Sequence, residues 1–205
     1  MKEKDRLWRS FSLIWELKTA RCHGNMYIRK SLPKKAEKGG TTMSKGLQKE
    51  LAHRKEEEER LQFPRFSNKE ALELGLKIVE KAEERGAAVA VDITVNGTQL
   101  FHYAMKGTNK RHAMWIQRKQ NTVQVSQISS LHAGQFLESQ GKDLWKDWRL
   151  SDADYAIIGG GFPIIVRGTG VIGAVACSGL PHEEDHKLLV DSISELLGID
   201  MGKED

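Results

Sequence analysis

His182-Glu183-Glu184-Asp185-His186 places two imidazoles one helical turn apart and satisfies the pattern H-E-x-x-H. In a zinc peptidase that spacing lets both histidines bind one ion from a single helix face, while the glutamate between them activates a metal-bound water. The setting here argues against that reaction. Pro181 stands where a first helical residue would, so the motif occupies an opening turn and not a mid-helix position. No His or Glu follows at a familiar third-ligand spacing; Asp191 and Glu195 come nearest. Glu183, Glu184 and Asp185 also complement the positive end of a helix. His182 and His186 therefore keep two readings. They are ligands to a metal or to haem iron without peptidase chemistry, or they are capping and packing groups.

Two further groups could meet a ligand. Arg111, His112, Trp115, Arg118 and Lys119 form a basic, aromatic stretch, and His112, Trp115 and Lys119 share one face by their 3–4 spacing. Such a face suits an anionic ligand, a planar cofactor or an acidic partner. The alternative is a core-facing tryptophan flanked by solvated charges. Gly159-Gly160-Gly161 precedes an apolar run. A phosphate-cradling loop runs from a strand into a helix N-terminus. This one runs from strand into strand, so a bulge or close packing at a sheet corner is the better reading; Gly160 and Gly161 remain candidates for lining a ligand. Cys177 and Ser178 near His182 form no nucleophile system, because no base and orienting group can be assigned to them. Cys177 lies among small residues and reads as a buried thiol.

The elements that must carry these residues follow from local signals. Ser44–Arg60 reads as a polar helix with Leu47, Leu51 and Ala52 on one side, and its run Glu56–Glu59 as a solvated face. Ser67 and Glu70 form a capping box ahead of a helix ending near Arg85, where Gly86 stops it. Ala71, Leu74, Ile78 and Ala82 recur there at helical spacing. Residues 87–95 alternate as a strand, Asn96-Gly97 is a hairpin turn, and Gln99–Met105 returns. Helical stretches are expected over Lys110–Lys119 and Val123–Gln140. Three strands follow, Tyr155–Ile158, Phe162–Val166 and Gly170–Ser178, and then a last helix from Pro181 to about Leu197. Hairpin-length turns make the strands antiparallel. The expectation is an α+β domain with a single five-stranded antiparallel sheet and helices on both faces.

Charge divides the chain. Residues 1–66 carry 17 Lys/Arg against 9 Asp/Glu, and residues 67–205 carry 15 against 19. The excess of base belongs to the N-terminal extension, so the net charge of +4 gives no ground for a nucleic-acid partner. Residues 1–43 read as a disordered leader or as an upstream start ahead of Met43. The other reading of the apolar residues Trp8, Phe11, Ile14 and Trp15 is a membrane-surface or targeting helix. No apolar run reaches the roughly 18 residues that span a bilayer, so no integral membrane segment is expected. Two cysteines in dissimilar contexts, Cys22 and Cys177, imply a reducing compartment and a cytoplasmic protein.

Three segments together resemble the haem-degrading-domain superfamily, in an uncharacterised bacterial and fungal branch. They are His112-Ala-Met-Trp-Ile-Gln-Arg-Lys, Gly159-Gly-Gly-Phe-Pro-Ile and Val171-Ile-Gly-Ala-Val with Ser178-Gly-Leu-Pro-His-Glu-Glu-Asp-His. The resemblance covers about Gly46 to Ile199. It implies a profilin-like domain over residues 44–205 that assembles with itself into dimers or larger rings. It carries over no catalytic residue. The function expected is an oligomeric, cytosolic small-ligand-binding domain, with haem or another anionic planar molecule as ligand. A haem-degrading or other metal-assisted enzyme and a non-enzymatic oligomeric adaptor are the alternatives.

Overall fold

A computed structural model describes residues 44–202, and the expectations for residues 1–43 lie outside the described residues. Helix α1 (Lys45–Arg60) starts at Ser44, whose Oγ accepts from the Leu47 N–H at 3.1 Å. Helix α2 (Asn68–Glu84) starts on the Ser67/Glu70 capping box, and the chain turns beyond it at Gly86 with φ +64°. Strands β1 (Ala90–Val95) and β2 (Thr98–Ala104) meet at Asn96 and Gly97, whose φ values of 49° and 79° are those of a two-residue hairpin turn.

Helix α3 (Lys110–Ser126) is capped by Asn109 and His112. It runs through the expected break at residues 120–122 and ends only at Gln127, which takes φ +62°. Helix α4 (Ser130–Ser139) then begins on Ser129. Strands β3 (Gly161–Val166) and β4 (Gly170–Ser178) form a second hairpin, and α5 (His182–Leu197) closes the domain.

The sheet is antiparallel in the order β2-β1-β4-β3, so the expected five strands are four. Tyr155–Ile158 is not a strand. Its backbone is occupied by helices instead. The Ala156 N–H donates to the Arg118 carbonyl at 3.2 Å and the Thr122 hydroxyl at 3.0 Å, and the Ser130 hydroxyl donates to the Ile158 carbonyl at 2.5 Å. An apolar run whose N–H and C=O groups are satisfied by α3 and α4 has no ladder to offer. The outer edge of β3 is met by Phe63, which donates to the Ile165 carbonyl at 2.8 Å and accepts from the Arg167 N–H at 3.0 Å.

Strand alternation divides the sheet's two faces. Val91, Ile93, Phe162, Ile164, Val175 and Cys177 join Leu74, Ile78, Leu189 and Ile193 in one core beneath α2 and α5. On the opposite face Ala90 and Ala176 meet Ile116 of α3. That face is built from small and polar side chains, so α3 approaches the sheet closely.

Helix α1 departs from the sequence expectation. Glu57 and Glu58 are buried, while Leu47 and Leu51 are half-covered and Ala52 is exposed. The helix docks through carboxylates. Glu57 accepts from His186 of α5 at 3.0 Å, and Glu58 accepts from the Ser129 N–H at 2.7 Å and from His132 of α4 at 2.9 Å. Glu56 and Glu59 of the same run stay exposed.

Candidate functional site

Lys119 does not point to solvent. It leaves α3, passes the start of β3 and ends 2.8 Å from Asp185 Oδ2 and 2.8 Å from the Cys177 carbonyl. Both charged side chains are 2% exposed. Asp185 Oδ1 accepts from the Leu180 N–H at 3.0 Å. Burial pushes the Asp185 carboxyl above its ordinary range, with Lys119 and the backbone N–H groups of Leu180 and Gly179 pulling against it. The triple glycine exists for this crossing. A Cβ on Gly160, whose φ is +104°, would lie 2.5 Å from Lys119 Nζ and 2.8 Å from the Cys177 carbonyl. On Gly161 it would lie 3.0 Å from Lys119 Cβ, and on Gly159 it would collide with the His182 carbonyl. Close packing at the sheet corner is what these glycines supply here. Cys177 is buried beside them, and burial pushes its thiol up.

His182 and His186 face different surroundings. His186 is 1% exposed; its Nε2 is engaged by Glu57, and its Nδ1 is buried without a hydrogen-bond partner. His182 is half-exposed, with Nδ1 3.5 Å from the Gly159 N–H and Nε2 3.0 Å from Glu183. Among the described residues no group of three or more His, Cys, Asp or Glu side chains gathers as a metal site.

The face of α3 is similarly divided. His112 accepts the Asn109 N–H on Nδ1 at 3.0 Å as part of the helix cap. Trp115 lies under the Arg118 guanidinium, 4.1 Å from ring centroid to carbon, a cation–π contact. Only Lys119 turns inward. Of the candidates, Lys119, Gly160 and Gly161 are brought together, along with the α5 turn that carries His182 and His186; His112 and Trp115 lie apart from them on α3.

A second polar centre escaped the sequence reading. Asp92 of β1 is 5% exposed and faces α3. Its Oδ1 accepts from Thr94 Oγ1 at 2.9 Å and Gln120 Nε2 at 2.8 Å, and its Oδ2 from Gln99 Nε2 and His102 Nδ1, the latter at 3.1 Å. Two donors reach each oxygen. One signal was present: a lone aspartate inside the apolar run Ala-Ala-Val-Ala-Val-Asp-Ile-Thr-Val needs partners wherever that strand is buried. Which partners depended on strand register. A two-residue turn alone would pair Asp92 with Phe101. An irregularity between Ile93 and Thr94, opposite Leu100, shifts the register by one and sets His102 across from Asp92. A shallow open groove between α2 and α5, lined by Glu73, Leu76, Lys77, Glu80 and Leu196, shares none of these residues. Among the described residues no helix is long and apolar enough to cross a membrane.

Comparison with known proteins bears on what these centres serve. A UPF0303 protein of Yersinia pseudotuberculosis serotype O:3 (strain YPIII) is 41% identical over 156 residues, which cover 76% of this chain and 91% of the relative. UPF0303 protein YE1367 of Yersinia enterocolitica has the same identity over 93% of its length. The crystal structure of Ybr137w protein matches with a TM-score of 0.68 and 27% identity, over 77% of this chain and 96% of that one. The crystal structure of a PduOC:heme complex matches with a TM-score of 0.56 and 18% identity, over 67% and 99%. HbpS matches with a TM-score of 0.53 and 20% identity, over 67% and 93%. These last two likenesses show the shared fold. The family model described as haem degrading protein HbpS-like matches residues 66–194, from the α2 cap to the last turn of α5, and the chain belongs to that HbpS-like family.

Proposed function

We propose that the protein is a homo-oligomeric, profilin-like small-ligand-binding domain of the cytosol, and that its ligand is haem or another anionic planar molecule. The family match over residues 66–194 carries this reading. A protein of the same fold solved in complex with haem adds support. In this reading residues 44–205 form the ligand-binding domain and residues 1–43 a leader outside it. Self-assembly would cover apolar side chains that the single chain leaves exposed, among them Leu72, Leu76, Met114, Phe136 and Trp145.

The test is a titration of the full chain with ferric haemin, followed by absorbance, with light scattering on the same sample. A saturable Soret band at stoichiometric haemin is expected, from a particle larger than a monomer. No saturable band sinks the haem reading, and a monomer at micromolar concentration sinks the assembly. Adding a reductant under oxygen separates binding from degradation: a stable band favours a binding protein, and loss of the band with product release favours an enzyme.

A further inference from the structure

We propose that His102 is the iron ligand of the haem site and that Asp92 is its positioning residue; this rests on the haem-binding reading above. Six histidines lie among the described residues, and their surroundings decide their suitability. His53, 29% exposed on α1, sets Nε2 3.4 Å from Glu57. His186 is closed off at 1% exposure with Nε2 on Glu57. His182 turns Nδ1 to the Gly159 N–H and Nε2 to Glu183. His112 holds a helix cap, and His132, paired with Glu58, is packed to 13% exposure between α1 and α4. The side chain of His102, on the edge strand β2, is 41% exposed, as much as His182 at 42%, but only its Nδ1 is engaged. Among the described residues helix α3 packs chiefly over β4, β3 and β1, and His102 on β2 stays exposed.

The chemistry behind His102 is that of a metal-bound imidazole. A ligating histidine characteristically gives its other ring N–H to a carboxylate, which sets the tautomer, orients the ring and raises the basicity of the ligating nitrogen. Asp92 is held by four donors from three elements: Thr94 on β1, Gln99 and His102 on β2, and Gln120 on α3. The other three are amide or hydroxyl donors, so the carboxylate is the acceptor throughout and the hydrogen sits on Nδ1 of His102. In the neutral ring Nε2 is then the nitrogen with the lone pair, the one a metal would take. It has no hydrogen-bond partner among the described residues. The buried negative charge behind the ring also balances the positive charge that ferric iron brings to the porphyrin. One imidazole of this kind is enough to hold haem iron.

The experiment is a ferric haemin titration of the full chain as wild type, His102→Ala, His102→Gln and Asp92→Asn, with thermal melts in parallel. His102→Gln keeps a donor toward Asp92 while removing the iron-binding nitrogen, so it stands in if the alanine variant loses its fold. For His102→Ala and His102→Gln the expected result is at least a tenfold loss of haemin affinity and a changed Soret band, with 10 mM-scale free imidazole (about the concentration needed for a weak ligand at ~1 mM affinity) restoring the wild-type spectrum. Asp92→Asn should keep the band but move the haem reduction potential to more positive values. A merely structural role for the pair would leave that potential unmoved. His102 variants with wild-type affinity and spectrum would overturn the assignment and leave the haem reading intact. No saturable band in the wild type would overturn both.

Discussion

Lys119 Nζ lies 2.8 Å from Asp185 Oδ2 although α3 and α5 pack on opposite faces of the sheet. The pair joins the two layers at the one corner where three consecutive glycines leave room for a lysine to cross. Its neighbours complete the enclosure: the Cys177 carbonyl accepts from the ammonium, and Cys177 Sγ donates to the Asp185 carbonyl at 3.3 Å. A pair so buried is costly to break from one side, because the survivor keeps its charge without its partner.

Lys119→Met should therefore destabilise the protein by roughly 3–5 kcal/mol, read by chemical denaturation. The double variant Lys119→Met/Asp185→Leu should recover part of the loss. The pH dependence has a definite sign. The folded state holds the Asp185 proton more tightly than the unfolded chain, whose ordinary value is 3.8. Stability from this group is thus greatest in acid and falls as pH rises from 3.8 through the raised value. Removing Lys119 takes away an interaction that favours the ionised form, so the fall should extend to higher pH in Lys119→Met. An unchanged profile would show that the two groups are not coupled.

Gly160→Ala tests the corner itself. The residue sits at φ +104°, and the new methyl would meet Lys119 Nζ, Asp185 Cβ and the Cys177 carbonyl at once. Backbone strain and overpacking each cost roughly 1–3 kcal/mol, so a combined loss of about 2–6 kcal/mol is expected. Gly86→Ala, at φ +64° with no atom within 4 Å, is the control for strain alone and should lose less.

The two histidines of the H-E-x-x-H motif should separate. His186→Ala empties a site beside Phe162 and removes one of the donors to Glu57, which also pairs with Arg54 at 2.9 Å, a loss of roughly 2–4 kcal/mol. His182→Ala, at a half-exposed position, should change the midpoint by less than about 1 kcal/mol. Neither should alter the haemin spectrum. Equal stability of the two variants would remove His186 from the α1–α5 contact.

Glu70 gives a pH signature of opposite sign. The Ser67 hydroxyl, followed by the Ser67 and Glu70 backbone N–H groups, lowers its carboxyl from 4.5 to about 2. The folded state therefore releases this proton more readily than the unfolded chain. The stability it adds is present above pH 4.5 and is lost as pH falls toward about 2. Glu70→Gln should melt below the wild type at neutral pH, with the gap closing across that window. A gap that persists at pH 2 would mean that the cap acts through packing and not through charge.

Local features of this protein were legible in its residues because their causes are local. The Ser67-to-Glu70 cap, the Asn96-Gly97 turn, the Gly86 stop and the opening of α5 after Pro181 all depend on groups within a few residues of one another. The family also lay open to reading, through the glycine-rich hairpin and the segment that follows it. Tertiary structure decided what depends on distant partners. Tyr155–Ile158 has a strand's composition, but α3 and α4 claim its backbone. Glu57 and Glu58 look like solvated charge until His186 and His132 arrive from 129 and 74 residues away. Lys119 keeps the spacing of a surface cation, and only the fold brings Asp185 to it across 66 residues. His102 met Asp92 through one irregular position in β2, which moved the ring to the carboxylate's face of the sheet. A side chain's period along a strand is two, so a single-residue shift of register reverses the face it occupies.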